Sequence, residues 1–183
     1  MYLNSASSND SIVRLHNINK QNLANMKRDV SPLANAALGL AQTAKEMKAH
    51  VVATTGNNRS LVYGTQGSPV QARQLIKMLD NAKNTLKSFA SKAQSLDREI
   101  DFFSAHHEGL FHGNVAMIPQ AHKVDWSTRQ IEKIMTRTSK LGADQAPKVN
   151  AAVNDLAFAA NYTPQNVQSS LGQQVSALNR GFR

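Results

Sequence analysis

The densest run of side chains able to do chemistry is His106, His107 and Glu108, with His112 four residues further on. It approaches the helical zinc-protease pattern H-E-x-x-H, in which two imidazoles one turn apart share a metal. Here the spacing is H-E-x-x-x-H, which sets His107 and His112 about 140° apart around a helix. Gly109 interrupts the turn that would hold them, and no third ligand is evident. The reading is therefore a cluster at a helix end, where imidazoles meet the negative end of the dipole.

Other chemistries find no foothold. There is no cysteine, hence no thiol nucleophile, thiolate metal site or disulfide framework. The glycines at Gly64 and Gly67 are not followed by the lysine of a phosphate-cradling loop, and no G-x-S-x-G elbow occurs. The expectation is a protein that is not an enzyme, with no catalytic residue, metal or cofactor.

Charge is the stronger signal. Lys and Arg number 21 against 12 acids, a formal charge of +9. Such an excess attracts an anionic partner: nucleic acid, an anionic membrane face or an acidic protein. No apolar run approaches the ~18 residues that read as a membrane span. The N-terminus lacks the basic, apolar, small-residue order of a secretory signal peptide.

The elements that must carry this charge are helices. From Pro69 to about Phe103, apolar residues fall at Leu75, Leu79, Ala82, Leu86, Phe89, Ala93, Leu96, Ile100 and Phe103. That alternation of fours and threes is the seam of a helix packed lengthwise on others. Ser68 and Pro69 supply its start and Gly109 its latest stop. Val70 to Phe103 makes a rod of about 50 Å.

Around it the chain reads as an all-α, elongated antiparallel bundle. Residues 1–16 are polar and aperiodic, a disordered leader, and residues 17–183 form one helical-bundle domain. A short helix is predicted over 19–28, and a second from Ser31 and Pro32 to about His50, with Leu33, Ala36, Ala37, Leu40, Ala44 and Met47 inward. Residues 51–55 and 60–63 flank a Gly/Asn turn and read as a small hairpin or ordered loop. Residues 109–119 read as an aperiodic turn over the bundle's end. The next helix is predicted from about His122 or Asp125 to Leu141, with Trp126, Ile131, Ile134 and Met135 buried, and Gly142 stops it. Another starts between Asp144 and Pro147 with Val149, Val153, Leu156 and Phe158. The last opens at Thr163 and Pro164, buries Val167, Leu171, Val175 and Leu178, and ends at Gly181.

Folded antiparallel, these helices bring basic ends to one pole, crowned by residues 51–68 and 141–147. Lys45, Lys48, His50, Arg59, Arg73, Lys77, Arg137, Lys140 and Lys148 gather there, while Asp97, Glu99, Asp101, Glu108 and Asp125 go to the other. With Leu61, Val62 and Tyr63 beside the bases, this tip suits an anionic bilayer, each engaged base contributing about 1 kcal/mol. A phosphoinositide head group would add selectivity. Val62 alone is predicted to pack inward. The predicted lipid-binding set is Lys45, Lys48, Arg59, Leu61, Tyr63, Arg73, Lys77, Arg137, Lys140 and Lys148.

In layout, residues 30–160 resemble the four-helix membrane-localisation domains of large bacterial toxins. They also resemble the membrane-targeting domains of type III secreted effectors, the Bordetella cytotoxic effector among them. The Ser/Asn-rich leader is similar to those that type III secretion machines thread. The resemblance implies a virulence protein secreted into a host cell, peripheral on the inner leaflet of the plasma membrane, with a secretion chaperone at the leader. The long helix overshoots its partners, so its lower half needs cover from the first or last helix or from a homodimer seam. Two rivals remain: nucleic-acid binding, disfavoured by scarce aromatics and helix-end bases, and a secretion-system assembly or interaction protein.

Overall fold

The computed structural model describes residues 3–56, 59–109, 121–168 and 171–182. The fold is all-α: helix α1 (Leu3–Thr55), α2 (Ala72–Gly109), α3 (Ala121–Ala160), α4 (Gln165–Gln168) and α5 (Leu171–Gly181). Between α1 and α2, strands β1 (Leu61–Val62) and β2 (Val70–Gln71) pair antiparallel, Leu61 opposite Gln71 and Val62 opposite Val70.

Heptad seams explain the long helices. On α1, His16, Asn19, Leu23, Met26, Val30, Leu33, Ala37, Leu40, Ala44, Met47 and Val51 are all buried, spaced three and four without a slip. On α2 the buried set runs from Ala72 through Leu75, Leu79, Ala82, Leu86, Phe89, Ala93, Leu96, Ile100 and Phe103 to His107. Each position is the inward face of a helix packed along its neighbours.

These seams overrule several expected breaks. Ser31 and Pro32 start no helix, because the seam passes through them and Pro32 sits inside α1 on an exposed face. Pro147 likewise lies exposed inside α3, and Gly142 does not stop that helix. On a solvent-facing side, the carbonyl that a proline leaves unbonded can be met by water. The expected leader is helical from Leu3, since His16 and Asn19 extend the α1 seam and hold this end of the helix. Residues 51–55 finish α1, with Val51 in the core, so Leu61 and Val62 pair with Val70 and Gln71 instead. Helix α2 accordingly begins at Ala72, three residues beyond Pro69. Trp126, Met135 and Phe158, expected inside, are among the exposed large apolar residues, whereas Ile131, Ile134, Val149, Leu156 and Leu178 are buried. The turn expected over residues 109–119 lies, beyond Gly109, outside the described residues.

The chain divides into two compact units, Met1–Ser31 with Gln94–Lys140, and Pro32–Ala93 with Leu141–Arg183. Pro32 and Gly142 fall at or next to these boundaries, inside α1 and α3 and not at helix ends.

The first unit is a three-helix bundle. Lys27 Nζ donates to Asp101 Oδ2 at 2.8 Å and pairs with Asp97 at 2.9 Å, joining α1 to α2 in antiparallel register. Asn19 Nδ2 donates to Thr128 Oγ1 at 2.8 Å, joining α1 to α3. Leu23, Met26, Ile100, Phe103, Ile131 and Ile134 fill its interior.

The second unit adds α4, α5 and the two strands to the remaining parts of the long helices. Phe182 packs on Phe89 with ring centroids 5.4 Å apart, and Thr43 Oγ1 donates to Gln174 Oε1 at 3.1 Å. The segment after β1 is tied to the end of α3: Thr65 N donates to Asn161 O at 3.0 Å, and Tyr162 Oη to Ser68 O at 2.9 Å.

Candidate functional site

The site belongs to the second unit and starts from two helix faces. On α2, Arg73, Lys77, Asp80, Lys83 and Lys87 fall within about 120° of arc, since 3.6 residues make a turn. On α1, Lys45, Lys48, Ala49, Val52 and Ala53 share the face that the Lys48–Asp80 contact brings beside it. Between them lies a cleft of about 550 Å³ lined by Lys45, Lys48, Ala49, Val52, Ala53, Lys83 and Lys87. Four lysines, two from each helix, thus line it together with Ala49, Val52 and Ala53.

Asp80 organises this charge. Lys48 Nζ donates to its Oδ2 at 2.6 Å and Lys83 Nζ to its Oδ1 at 2.9 Å, so one carboxylate fixes a lysine from each helix. The hydrogen bond from Lys48, then that from Lys83, holds the Asp80 carboxyl below the usual carboxylate range. Being ionised, it cancels one positive charge and leaves the cleft with a net three.

Around the last turns of α1, on another flank of that helix, is a second hollow of about 260 Å³ lined by His50, Thr54, Thr55, Leu61, Val62, Tyr63 and Tyr162. Leu61 is 49% and Tyr63 75% exposed, while Val62 turns inward at 8%. Antiparallel alternation at β1 produces that split. Tyr162, buried at the end of α3, supports the segment from beneath through its bond to Ser68.

The predicted basic crown is only partly assembled. Residues 141–147 are uninterrupted helix, so they form no connection, and the chain turns instead at residues 161–164. Lys45 and Lys48 line the cleft, and Arg73 and Lys77 lie exposed on the same α2 face. Arg59, Leu61 and Tyr63 are exposed between α1 and α2. Arg137 and Lys140 fall in the first unit, where Arg137 pairs with Glu99 of α2. Lys148 is exposed on α3 and is not part of the cleft lining. Lys83 and Lys87 complete the cleft and were absent from the predicted set. Their spacing from Arg73 and Lys77 was the signal that places them on one face.

The histidine cluster takes a structural position. His107 is buried against His16 and Ser127, whereas His106 is exposed and meets Trp126 edge-on, centroids 5.5 Å apart. His112 lies outside the described residues. Among the described residues no group of three His, Asp or Glu is placed to hold a metal ion, and no helix is long and apolar enough to cross a membrane. Comparison of the chain with protein-family models, with curated proteins and with solved structures finds no match in any of the three.

Proposed function

We propose that the second unit is a membrane-targeting module that binds anionic phospholipid at a bilayer surface. The observation that carries this reading is the four-lysine cleft between α1 and α2, in a unit whose segment joining those helices leaves Leu61 and Tyr63 exposed. Basic residues near an anionic leaflet contribute about 1 kcal/mol each. Lys45, Lys48, Lys83, Lys87, Arg73 and Lys77, less the charge of Asp80, give about 5 kcal/mol. That alone corresponds to sub-millimolar binding. Burying Leu61 in the acyl boundary adds about 1.5–3 kcal/mol, and Tyr63 offers an apolar ring with a polar tip suited to the head-group layer. Together they bring the affinity into a useful range. A peripheral location on the inner leaflet of a host membrane goes with this reading.

Nucleic-acid binding is the second reading, favoured by the same cleft; among the described residues no aromatic lines it, which gives little for bases to stack on. Co-sedimentation with vesicles separates the two. Vesicles of phosphatidylcholine with phosphatidylserine should pellet the protein, and phosphatidylcholine alone should not. Lys45→Glu with Lys87→Glu should abolish pelleting, and Tyr63→Asp should weaken it on the order of tenfold. Equal pelleting by neutral vesicles, or indifference to these substitutions, refutes the proposal.

A further inference from the structure

We infer that the cleft between α1 and α2 in the second unit is a site for a multiply phosphorylated head group, with Asp80 as its positioning residue. This deepens the membrane reading and rests on it. A flat field of surface lysines answers only to the density of negative charge. This cleft has features that a flat field lacks. Its volume of about 550 Å³ lies in the range of small-ligand sites. Its lysines come from two helices and line one hollow, so several phosphates on one compact ring can each meet a different lysine.

Lysine is also the informative residue type here. A planar carboxylate is best matched by the fork of an arginine, whereas a lysine acts as a point charge with rotatable donors. Four lysines and no arginine line the cleft, which suits separate tetrahedral phosphates.

Asp80 makes the arrangement rigid. Lysine side chains lose considerable rotamer freedom when a ligand fixes them. Lys48 and Lys83 are held already, at 2.6 and 2.9 Å from the two oxygens of one carboxylate, and each ammonium retains further N–H donors for a phosphate. Asp80 therefore costs the site one unit of attraction and supplies fixed geometry in return. Charge counting and positioning predict opposite effects for its removal, which makes the inference testable.

The experiment uses the full chain and two probes. Vesicles containing phosphatidylinositol bisphosphate are compared with vesicles in which phosphatidylserine supplies the same total charge, and soluble inositol trisphosphate is titrated by calorimetry without vesicles. The expected result is a preference on the order of tenfold for the bisphosphate vesicles, with inositol trisphosphate binding stoichiometrically and competing. Lys87→Ala, which breaks neither ion pair of Asp80, should remove most of that preference. Asp80→Asn should weaken inositol trisphosphate binding while leaving phosphatidylserine binding unchanged or tighter. Circular dichroism melting of each variant checks that the unit remains folded.

Equal binding to both vesicle types at matched charge, with no inositol trisphosphate binding, overturns this inference and leaves the membrane reading standing. Inositol trisphosphate binding without any vesicle binding supports the site with a soluble phosphate as its source and removes the membrane reading. Tighter binding of every probe by Asp80→Asn overturns the positioning role. Displacement of inositol trisphosphate by duplex DNA at lower concentrations than by bisphosphate vesicles overturns the site as described and favours an extended polyanion.

Discussion

The imidazoles of His16 and His107 lie face to face, ring centroids 3.9 Å apart and planes 16° from parallel, inside the first unit. Each occupies a seam position of its helix, and Ser127 of α3 supplies a third polar group in the same layer. His107 Nε2 is 2.9 Å from the carbonyl oxygen of His16. A carbonyl only accepts, so Nε2 carries the proton and Nδ1, 3.3 Å from Ser127 Oγ, accepts from that hydroxyl. Burial of both rings disfavours a charge on either, so the stack is built from neutral rings. Burial, then the neighbouring His107 and Lys20, lowers the His16 pKa to about 4, and burial chiefly lowers that of His107.

Acid should therefore loosen the first unit. Unfolded, both imidazoles take up a proton near 6.5. Folded, His16 resists until about 4. Between those values the unfolded chain binds more protons, so stability falls as pH drops through the window and is fully present above it. For His16 the loss should reach about 2–3 kcal/mol. Denaturant midpoints measured from neutral pH down to the foot of that window check it. His16→Phe should flatten the slope; a slope as steep as that of the unaltered chain would show that the pair is not its source.

Removing a proline should help the fold. Pro32 lies inside α1 and denies Arg28 a backbone hydrogen bond, while a perfect seam continues on either side. Pro32→Ala restores the donor, and the helix-propensity difference is about 3 kcal/mol. Greater freedom of the unfolded chain takes back part of that gain, so an increase of about 1–2 kcal/mol is expected in urea unfolding. A decrease would mean that α1 needs the local irregularity of this proline at the boundary between the units.

The apolar rhythm was the legible part of the sequence. Every residue predicted on the long-helix seam, from Leu75 to Phe103, is buried, as is the stripe from Leu33 to Met47. Local punctuation misled where it competed with that rhythm. Pro32, Gly142 and Pro147 look like helix boundaries one at a time, but the seam residues around them sum to far more than one lost hydrogen bond. His16, Asn19 and His107 also keep the seam's spacing, and they were missed because they are polar. Lys45 and Lys48 of the cleft, and Arg73 and Lys77 on the same α2 face, followed from the basic ends of the helices. The exclusion of Arg137 depends on its partner Glu99 in the other unit, and no local pattern reveals that pairing.

The anchoring of the β1 segment to the end of α3 gives a third test. A Cβ on Gly64 would lie 2.7 Å from Asn161 O and 2.9 Å from the Tyr162 ring, closer than real contacts allow. Gly64→Ala must therefore push the segment off α3. Tyr162→Phe keeps the ring and deletes only the bond to Ser68 O, at a cost of about 0.5–1.5 kcal/mol. Hydrogen exchange should show faster opening of Thr65 N–H in Gly64→Ala, because its bond to Asn161 O is lost, and a smaller change in Tyr162→Phe. Unchanged exchange at Thr65 in Gly64→Ala would refute the close approach.

The C-terminal helix is seated by a second close approach, and its energetics separate from those of ordinary helix propensity. A Cβ on Gly181 would lie 2.5 Å from Leu33 Cγ. Leu33 is buried on the α1 seam, so it cannot swing clear, and overpacking of this kind costs about 1–3 kcal/mol. Gly39 offers the contrast. Its added Cβ would meet Gln174 Nε2 at 3.0 Å, the end of a flexible side chain, and alanine is a better helix former by about 1 kcal/mol. Gly181→Ala should thus destabilise, and Gly39→Ala should be neutral or mildly stabilising. The decisive measurement is a double-mutant cycle. Leu33→Ala alone should cost about 2–5 kcal/mol through its cavity, and adding Gly181→Ala should then cost little, because the new methyl enters the space that leucine left. A coupling of at least about 0.5 kcal/mol in that direction supports the packing of α5 on α1; strictly additive losses would place Gly181 away from Leu33.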